Sequence, residues 1–226
     1  MQNLSQQTAE EAKYYFMVKK VMRILAPFYD VAFEFLSLGA ESRLRNQVAD
    51  FANAQQGSRI LDVATGTGGQ AFAFARKGCN VVGIDLSEDM LDIANRKNKY
   101  ENAKFEIADA TNLPFEDKSF DVSCVSFALH DMIPSIREKT LKEMARVTKT
   151  KGTIIIVDYA LPKNKISRFF VYNIVKLYEV YYSEFIKSDL EALLRKSGIE
   201  IKEKRPVLFG AGRILKGVKI ARKPLT

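Results

Sequence analysis

Two hydrophobic rhythms divide the chain near residue 54. Before it, apolar positions recur at helical spacing: Tyr15, Val18, Met22 and Leu25 fall three or four residues apart until Pro27 ends the run. A second helical stretch is predicted over Asp30–Leu38, with Gly39 as its stop. A third covers Glu41–Phe51 and places Leu44, Val48 and Phe51 on one face. After Gly57 the rhythm changes to short apolar runs alternating with helical ones. Ser58–Ala64, Asn80–Asp85, Ala103–Ile107, Phe120–Phe127 and Thr153–Asp158 read as strands. Gly69–Lys77, Glu88–Lys97 and Ser135–Thr148 read as helices; Gly78 closes the first and Ser87 caps the second.

Strands alternating with helices imply βαβ units and a mainly parallel sheet. Unbroken apolar strands such as Ile154-Ile155-Ile156-Val157 agree, since a parallel sheet is covered on both faces. The tail predicts helices over about Ile166–Tyr182 and Ser188–Lys196, then strands Ile199–Arg205 and Arg213–Ala221, which suggest an antiparallel edge. The expected architecture is α/β, doubly wound. An N-terminal helical lid region (1–54) precedes a cofactor-binding core (55–226), which carries a helical insertion at about 163–186.

Composition changes this picture little. The 226 residues, 47% apolar and 27% charged, are ordinary for a globular chain. The net charge of +8 favours an anionic partner or membrane surface, or serves solubility alone. Basic residues are dispersed, which argues against nucleic acid. Cys79 and Cys124 lie in strand-like runs, as buried free thiols of a reducing compartment would. With one histidine and no CxxC pair, no metal site is expected. Met1–Glu11 lacks the order of a secretion leader, and no uncharged apolar run is long enough for a bilayer. The expected location is cytoplasmic, with peripheral contact at the inner membrane surface left open.

The candidate chemistry gathers at the first strand-to-helix turn, Asp62-Val63-Ala64-Thr65-Gly66-Thr67-Gly68-Gly69. Glycines there let backbone approach a ligand closely. Gly66, Gly68 and Ala71 also fit a dinucleotide fingerprint, so the turn alone leaves a nicotinamide cofactor open. Asp62 weighs against it: a carboxylate beside the turn repels a pyrophosphate and suits an ammonium group. Asp85, ending the second strand, stands where an acid accepts from ribose hydroxyls. Asp109, after the third strand, is placed to accept from an adenine amino group or to form a surface turn. Leu86 and Met90 fit an adenine face, or plain core.

Several stretches, in order, carry a resemblance. They are Phe28-Tyr29-Asp30 with Ser37-Leu38-Gly39, Leu61 through Gly68, Asp85 through Leu91, Asp109-Ala110 with Leu113-Pro114-Phe115, Phe120-Asp121-Val122, and Glu143 through Val147 with Lys151-Gly152. Together they resemble the class I S-adenosylmethionine-dependent methyltransferases, within them the ubiquinone/menaquinone-biosynthesis C-methyltransferase-like group. The resemblance implies a seven-stranded Rossmann-like sheet with a reversed final hairpin, S-adenosyl-L-methionine as cofactor, and contacts from Asp62, Gly66, Gly68, Asp85 and Asp109. Ala64 and Ala110, in the same stretches, and Phe127, at the end of the fourth strand, complete the expected set. Ala64 replaces a glycine usual in the wider superfamily. Ser126 through Met132 and Asp158-Tyr159 depart from the quinone pattern and leave the acceptor open.

Methyl transfer to carbon or oxygen needs a base. His130, following the fourth strand, is the candidate, with Asp131 beside it to orient it; the alternative is a histidine that bonds a loop. The aromatic-rich segments Lys13–Leu25 and Ile166–Ile186 suggest a lid over an apolar acceptor, with Tyr15, Tyr29, Tyr178 and Tyr182 as contacts, or added helices merely packed on the sheet. The function expected is methyl transfer to a small hydrophobic acceptor such as a quinone precursor. N-methylation of a lipid headgroup or polar metabolite, and a module that only binds the cofactor, stand as alternatives.

Overall fold

The computed structural model describes residues 2–31, 40–176 and 181–220. The stretch predicted as a helix over Asp30–Leu38, its stop Gly39, and Tyr178 lie wholly or mostly outside them. In chain order the elements are α1 (Gln2–Leu25), α2 (Glu41–Ala52), β1 (Arg59–Val63), α3 (Gly69–Ala75), β2 (Asn80–Asp85), α4 (Glu88–Lys97) and β3 (Ala103–Ile107). They continue with β4 (Phe120–Ser126), α5 (Pro134–Val147), β5 (Thr148–Tyr159), α6 (Lys165–Lys176), α7 (Tyr182–Lys187), α8 (Leu190–Lys196), β6 (Ile199–Val207) and β7 (Gly212–Lys219).

The strands form one seven-stranded sheet in the order β3-β2-β1-β4-β5-β7-β6. β1 to β5 pair in parallel, and β7 runs antiparallel to both β5 and β6. The order reverses between β1 and β4, which opens a crevice at their carboxyl ends.

Successive strand residues point to opposite faces, so each apolar run feeds two cores. Leu61, Val63, Ile154 and Ile156 pack with Tyr14 of α1, with α5 and with Phe185 of α7. Ile60, Ile155 and Val157 pack the other way, against Leu44 and Val48 of α2 and Phe74 of α3. This double covering is why the strands read as unbroken apolar runs.

Several boundaries differ from the sequence reading. β5 starts at Thr148, five residues before the predicted Thr153. Its register against β4 slips between Phe120 and Val122, so the polar stretch Lys149–Gly152 sits in a bulge that masks the strand. The predicted single helix to Tyr182 is described as α6 up to Lys176, and the non-helical Tyr181 separates it from α7, which begins at Tyr182. α8 starts at Leu190, two residues after the predicted Ser188, because Asp189 caps it: its carboxylate accepts from the Ala192 N–H at 2.9 Å. No helix among the described residues is long and apolar enough to cross a membrane.

Candidate functional site

A cavity opens at the carboxyl ends of β1, β2 and β4, roofed by α1, with about 810 Å³ of empty space, solvent at its mouth included. Ala64, Gly66, Asp85, Leu86, Met90, Asp109, Ala110 and Phe127 line its floor, and Tyr14, Tyr15, Val18, Met22 and Tyr29 line the N-terminal side.

The turn after β1 is left-handed at alternate positions: φ is 52° at Ala64, 53° at Gly66 and 81° at Gly68. The two glycines have different jobs. A Cβ built on Gly66 meets nothing within 4 Å, so the residue leaves an open cradle beside the cavity. A Cβ on Gly68 meets the Phe105 and Phe72 rings at 2.8 and 2.9 Å, so this glycine is required for packing under α3. Ala64 tolerates a conformation that costs an L-residue about 1 kcal/mol or more, which explains why a glycine suits the position.

Asp85 fixes this turn. Its Oδ2 accepts the Gly66 N–H and its Oδ1 the Ser87 N–H, both at 2.9 Å. Burial pushes the carboxyl above its ordinary value, opposed by these N–H groups. Asp62 lies behind the turn, almost fully buried, where the Thr65 hydroxyl donates to its Oδ2 at 2.6 Å. Burial pushes it up to about 6, opposed chiefly by the Thr65 hydroxyl and then by the Arg45 charge.

After β3, Asp109 Oδ1 accepts from both the N–H and the hydroxyl of Thr111, each at 2.8 Å. The Tyr15 hydroxyl lies 3.2 Å from Thr111 Oγ1, tying α1 to the same carboxylate. Burial raises the Tyr15 phenol to about 12, keeping it a donor. A second tie lies at the end of the roof. Asp30 accepts from Thr67 Oγ1 in the glycine turn and from Lys97 Nζ in α4, each at 2.5 Å.

Beyond β4 the chain enters a 3₁₀ turn, Leu129–Asp131, after Phe127 at φ 51°. His130 is buried, with Nδ1 2.8 Å from Asp158 Oδ1 and Nε2 3.6 Å from Asp131 Oδ2. Tyr159 packs edge-on against its ring at 4.6 Å. Arg137 braces the turn from below, donating to the Leu129 and Met132 carbonyls. Asp131, whose side chain is 37% exposed, lines the cavity, whereas His130 stands one layer behind it.

Four of the residues singled out from the sequence lie outside the cavity wall: Asp62, Gly68, His130 and Tyr182. Tyr182 is fully buried, stacked edge-on with Tyr159 at 5.5 Å. Sequence reasoning missed the wall residues Thr111, Met132 and Thr140. Thr111 had a signal, the Asp-Ala-Thr spacing that lets an aspartate bond its own backbone two residues on; Met132 and Thr140 had none.

The ubiE/COQ5 methyltransferase family model matches residues 6–202. A demethylmenaquinone methyltransferase of Paenarthrobacter aurescens is 36% identical over 172 residues, which are 76% of this chain but only 62% of that protein. Another from Clavibacter sepedonicus is 35% identical over 85% of this chain and 86% of its own length. A SAM-dependent methyltransferase structure from Aquifex aeolicus superposes with a TM-score of 0.63 over 78% of this chain and 89% of its own, at 18% identity, a likeness of fold. With that family model covering most of the chain, on a sheet whose order reverses above the glycine turn, this chain belongs to the ubiE/COQ5 methyltransferase family.

Proposed function

We propose that the protein transfers a methyl group from S-adenosyl-L-methionine to a ring carbon of a reduced quinone precursor. The reading rests on family membership over residues 6–202 combined with one cavity lined by Gly66, Asp85, Asp109 and the inner face of α1. The relatives named demethylmenaquinone methyltransferase supply the acceptor class.

The site's chemistry fits the cofactor. The open cradle at Gly66 admits a close ligand. Asp85 keeps lone pairs for ribose hydroxyls beyond its two backbone donors, and Asp109 Oδ2 remains for an adenine amino group. Leu86, Met90 and Ala110 supply apolar surface for the base. Asp62 acts through Thr65, holding the turn and adding negative potential behind it for an ammonium group. The cofactor's share of the chemistry is an already activated methyl group.

The chain's own work is to hold the acceptor, exclude water and move one proton. Asp131, facing the cavity, takes a proton from an acceptor hydroxyl and so raises electron density at the ring carbon beside it. His130, held by Asp158, points its Nε2 toward Asp131 from behind at 3.6 Å, and the proton leaves Asp131 through its solvent-exposed edge. Val18, Met22, Phe127 and Met132 give the acceptor ring an apolar bed. Tyr14, Tyr15 and Tyr29 form the lid face, and the ties at Thr111 and Asp30 keep it closed. An acceptor of this class partitions into a bilayer, so it reaches the cavity from a membrane surface.

Isothermal titration with S-adenosyl-L-homocysteine and with NAD tests the cofactor assignment. Micromolar binding of the first and none of the second is expected; the reverse would overturn it.

A further inference from the structure

The helix that roofs the cavity has two unlike faces. Tyr14, Val18 and Met22, four residues apart, point inward and line the cavity. On the opposite side Phe16, Lys20 and Ile24 follow at the same spacing, with Lys13, Lys19 and Arg23 flanking them. Phe16 is 71% exposed and Ile24 63%, and Phe28 (68%) and Val31 (74%) continue the apolar ridge past the helix end. From Lys13 to Pro27 the sequence holds no acidic residue. Arg23 lies 3.7 Å from Asp89, so the three lysines carry most of the outward charge.

We propose that this outer face of α1 docks on a bilayer containing anionic phospholipid, with the apolar ridge entering the headgroup boundary and the lysines meeting lipid phosphates. Exposed large apolar side chains interleaved with cations are what an interfacial helix presents. Other occupants fit worse. A second copy of the face would set these cations against their own kind, and nucleic acid would leave Phe16, Ile24, Phe28 and Val31 in water. The arrangement places the membrane on one side of α1 and the cavity on the other, so an acceptor leaving the lipid has one helix to pass.

The inference extends the quinone reading, yet vesicles free of quinone test it, so the two fail separately. The full chain is sedimented with vesicles of phosphatidylcholine alone and of phosphatidylcholine with phosphatidylglycerol, at low and high salt. Binding to the anionic vesicles only, reversed by salt, is expected. Each lysine removed should lower partitioning about five-fold. Lys13→Glu/Lys20→Glu and Phe16→Ser/Ile24→Ser should both lose binding while keeping wild-type affinity for S-adenosyl-L-homocysteine, because none of these residues lines the cavity. Equal sedimentation with both vesicle types, no sedimentation, or variants that bind like wild type would overturn the proposal. So would self-association abolished by Phe16→Ser/Ile24→Ser without vesicle binding, which would make the face an interface between copies.

Discussion

Asp158 grips His130 twice: its Oδ1 lies 2.8 Å from the ring Nδ1, and its Oδ2 accepts the His130 backbone N–H at 3.2 Å. Both residues are buried, and the grip turns the far nitrogen, Nε2, toward Asp131 at the cavity wall. In the proposed reaction the carboxylate of Asp131 faces the acceptor and the imidazole of His130 stands behind it. Asp131→Asn should lower kcat about 100-fold or more, with the affinity for S-adenosyl-L-homocysteine unchanged. Steady-state kinetics and titration check this. A variant of Asp131 with normal kcat would return the base to His130.

The two glycines of the turn should fail in opposite ways. Gly66→Ala places a methyl group in the open cradle, so S-adenosyl-L-homocysteine affinity should fall at least tenfold, with a stability loss of about 1 kcal/mol from the left-handed φ. Gly68→Ala drives the methyl into Phe105 and Phe72, and should cost about 2–4 kcal/mol from strain and overpacking. Urea unfolding and ligand titration on both variants separate the effects. Equal stability losses would contradict the assignment.

Asp85→Ala should weaken S-adenosyl-L-homocysteine binding about 10- to 100-fold, because charge-assisted hydrogen bonds contribute roughly 1.5–3 kcal/mol each. The Gly66 and Ser87 N–H groups also lose their acceptor, so the turn itself loosens. Calorimetry reads the loss, and unchanged affinity would move the ribose site elsewhere.

Asp62 gives a pH signature in the ligand-free protein. Its folded pKa of about 6 stands above the unfolded value of 3.8. The folded state is therefore favoured while the group is protonated. That advantage is complete below about pH 4 and lost as pH rises through 6, to a total of about 3 kcal/mol. Asp62→Asn cannot ionise and escapes the loss. The Tm of the variant relative to wild type should therefore climb between about pH 4 and pH 6 and then level off. A constant difference across that range would contradict the burial argument.

The core of the fold was legible because each parallel strand is a short apolar run closed by a chemically marked turn. Asn80–Asp85, Glu88–Lys97 and Ala103–Ile107 fall where pattern and capping put them. The β5 start escaped because Lys149–Gly152 is polar in a bulge. The non-helical Tyr181 before α7 escaped because Tyr181 and Tyr182 continue an aromatic-rich run.

Within the site, Gly66, Asp85 and Asp109 were readable because a turn and a strand end fix their positions. The sequence reading put the base at His130 with Asp131 orienting it, whereas Asp131 lines the cavity and His130 stands behind it. The 3₁₀ turn and the Asp158 contact decide that, and both depend on residues far along the chain. The Asp30 ties to Thr67 and Lys97 are long-range in the same way, joining the roof to two core elements that no local pattern connects.

The central claim is that one cavity brings an activated methyl group to an apolar quinol. The most direct measurement incubates the purified chain with methyl-labelled S-adenosyl-L-methionine and a reduced naphthoquinone carrying a short isoprenoid tail and a free ring position, then extracts with organic solvent and weighs the product. The account predicts label in the organic phase on a product heavier by one methyl in place of a ring hydrogen, with Asp131→Asn nearly inactive. Label transferred only to amines in the aqueous phase, or none transferred despite tight S-adenosyl-L-homocysteine binding, would contradict it.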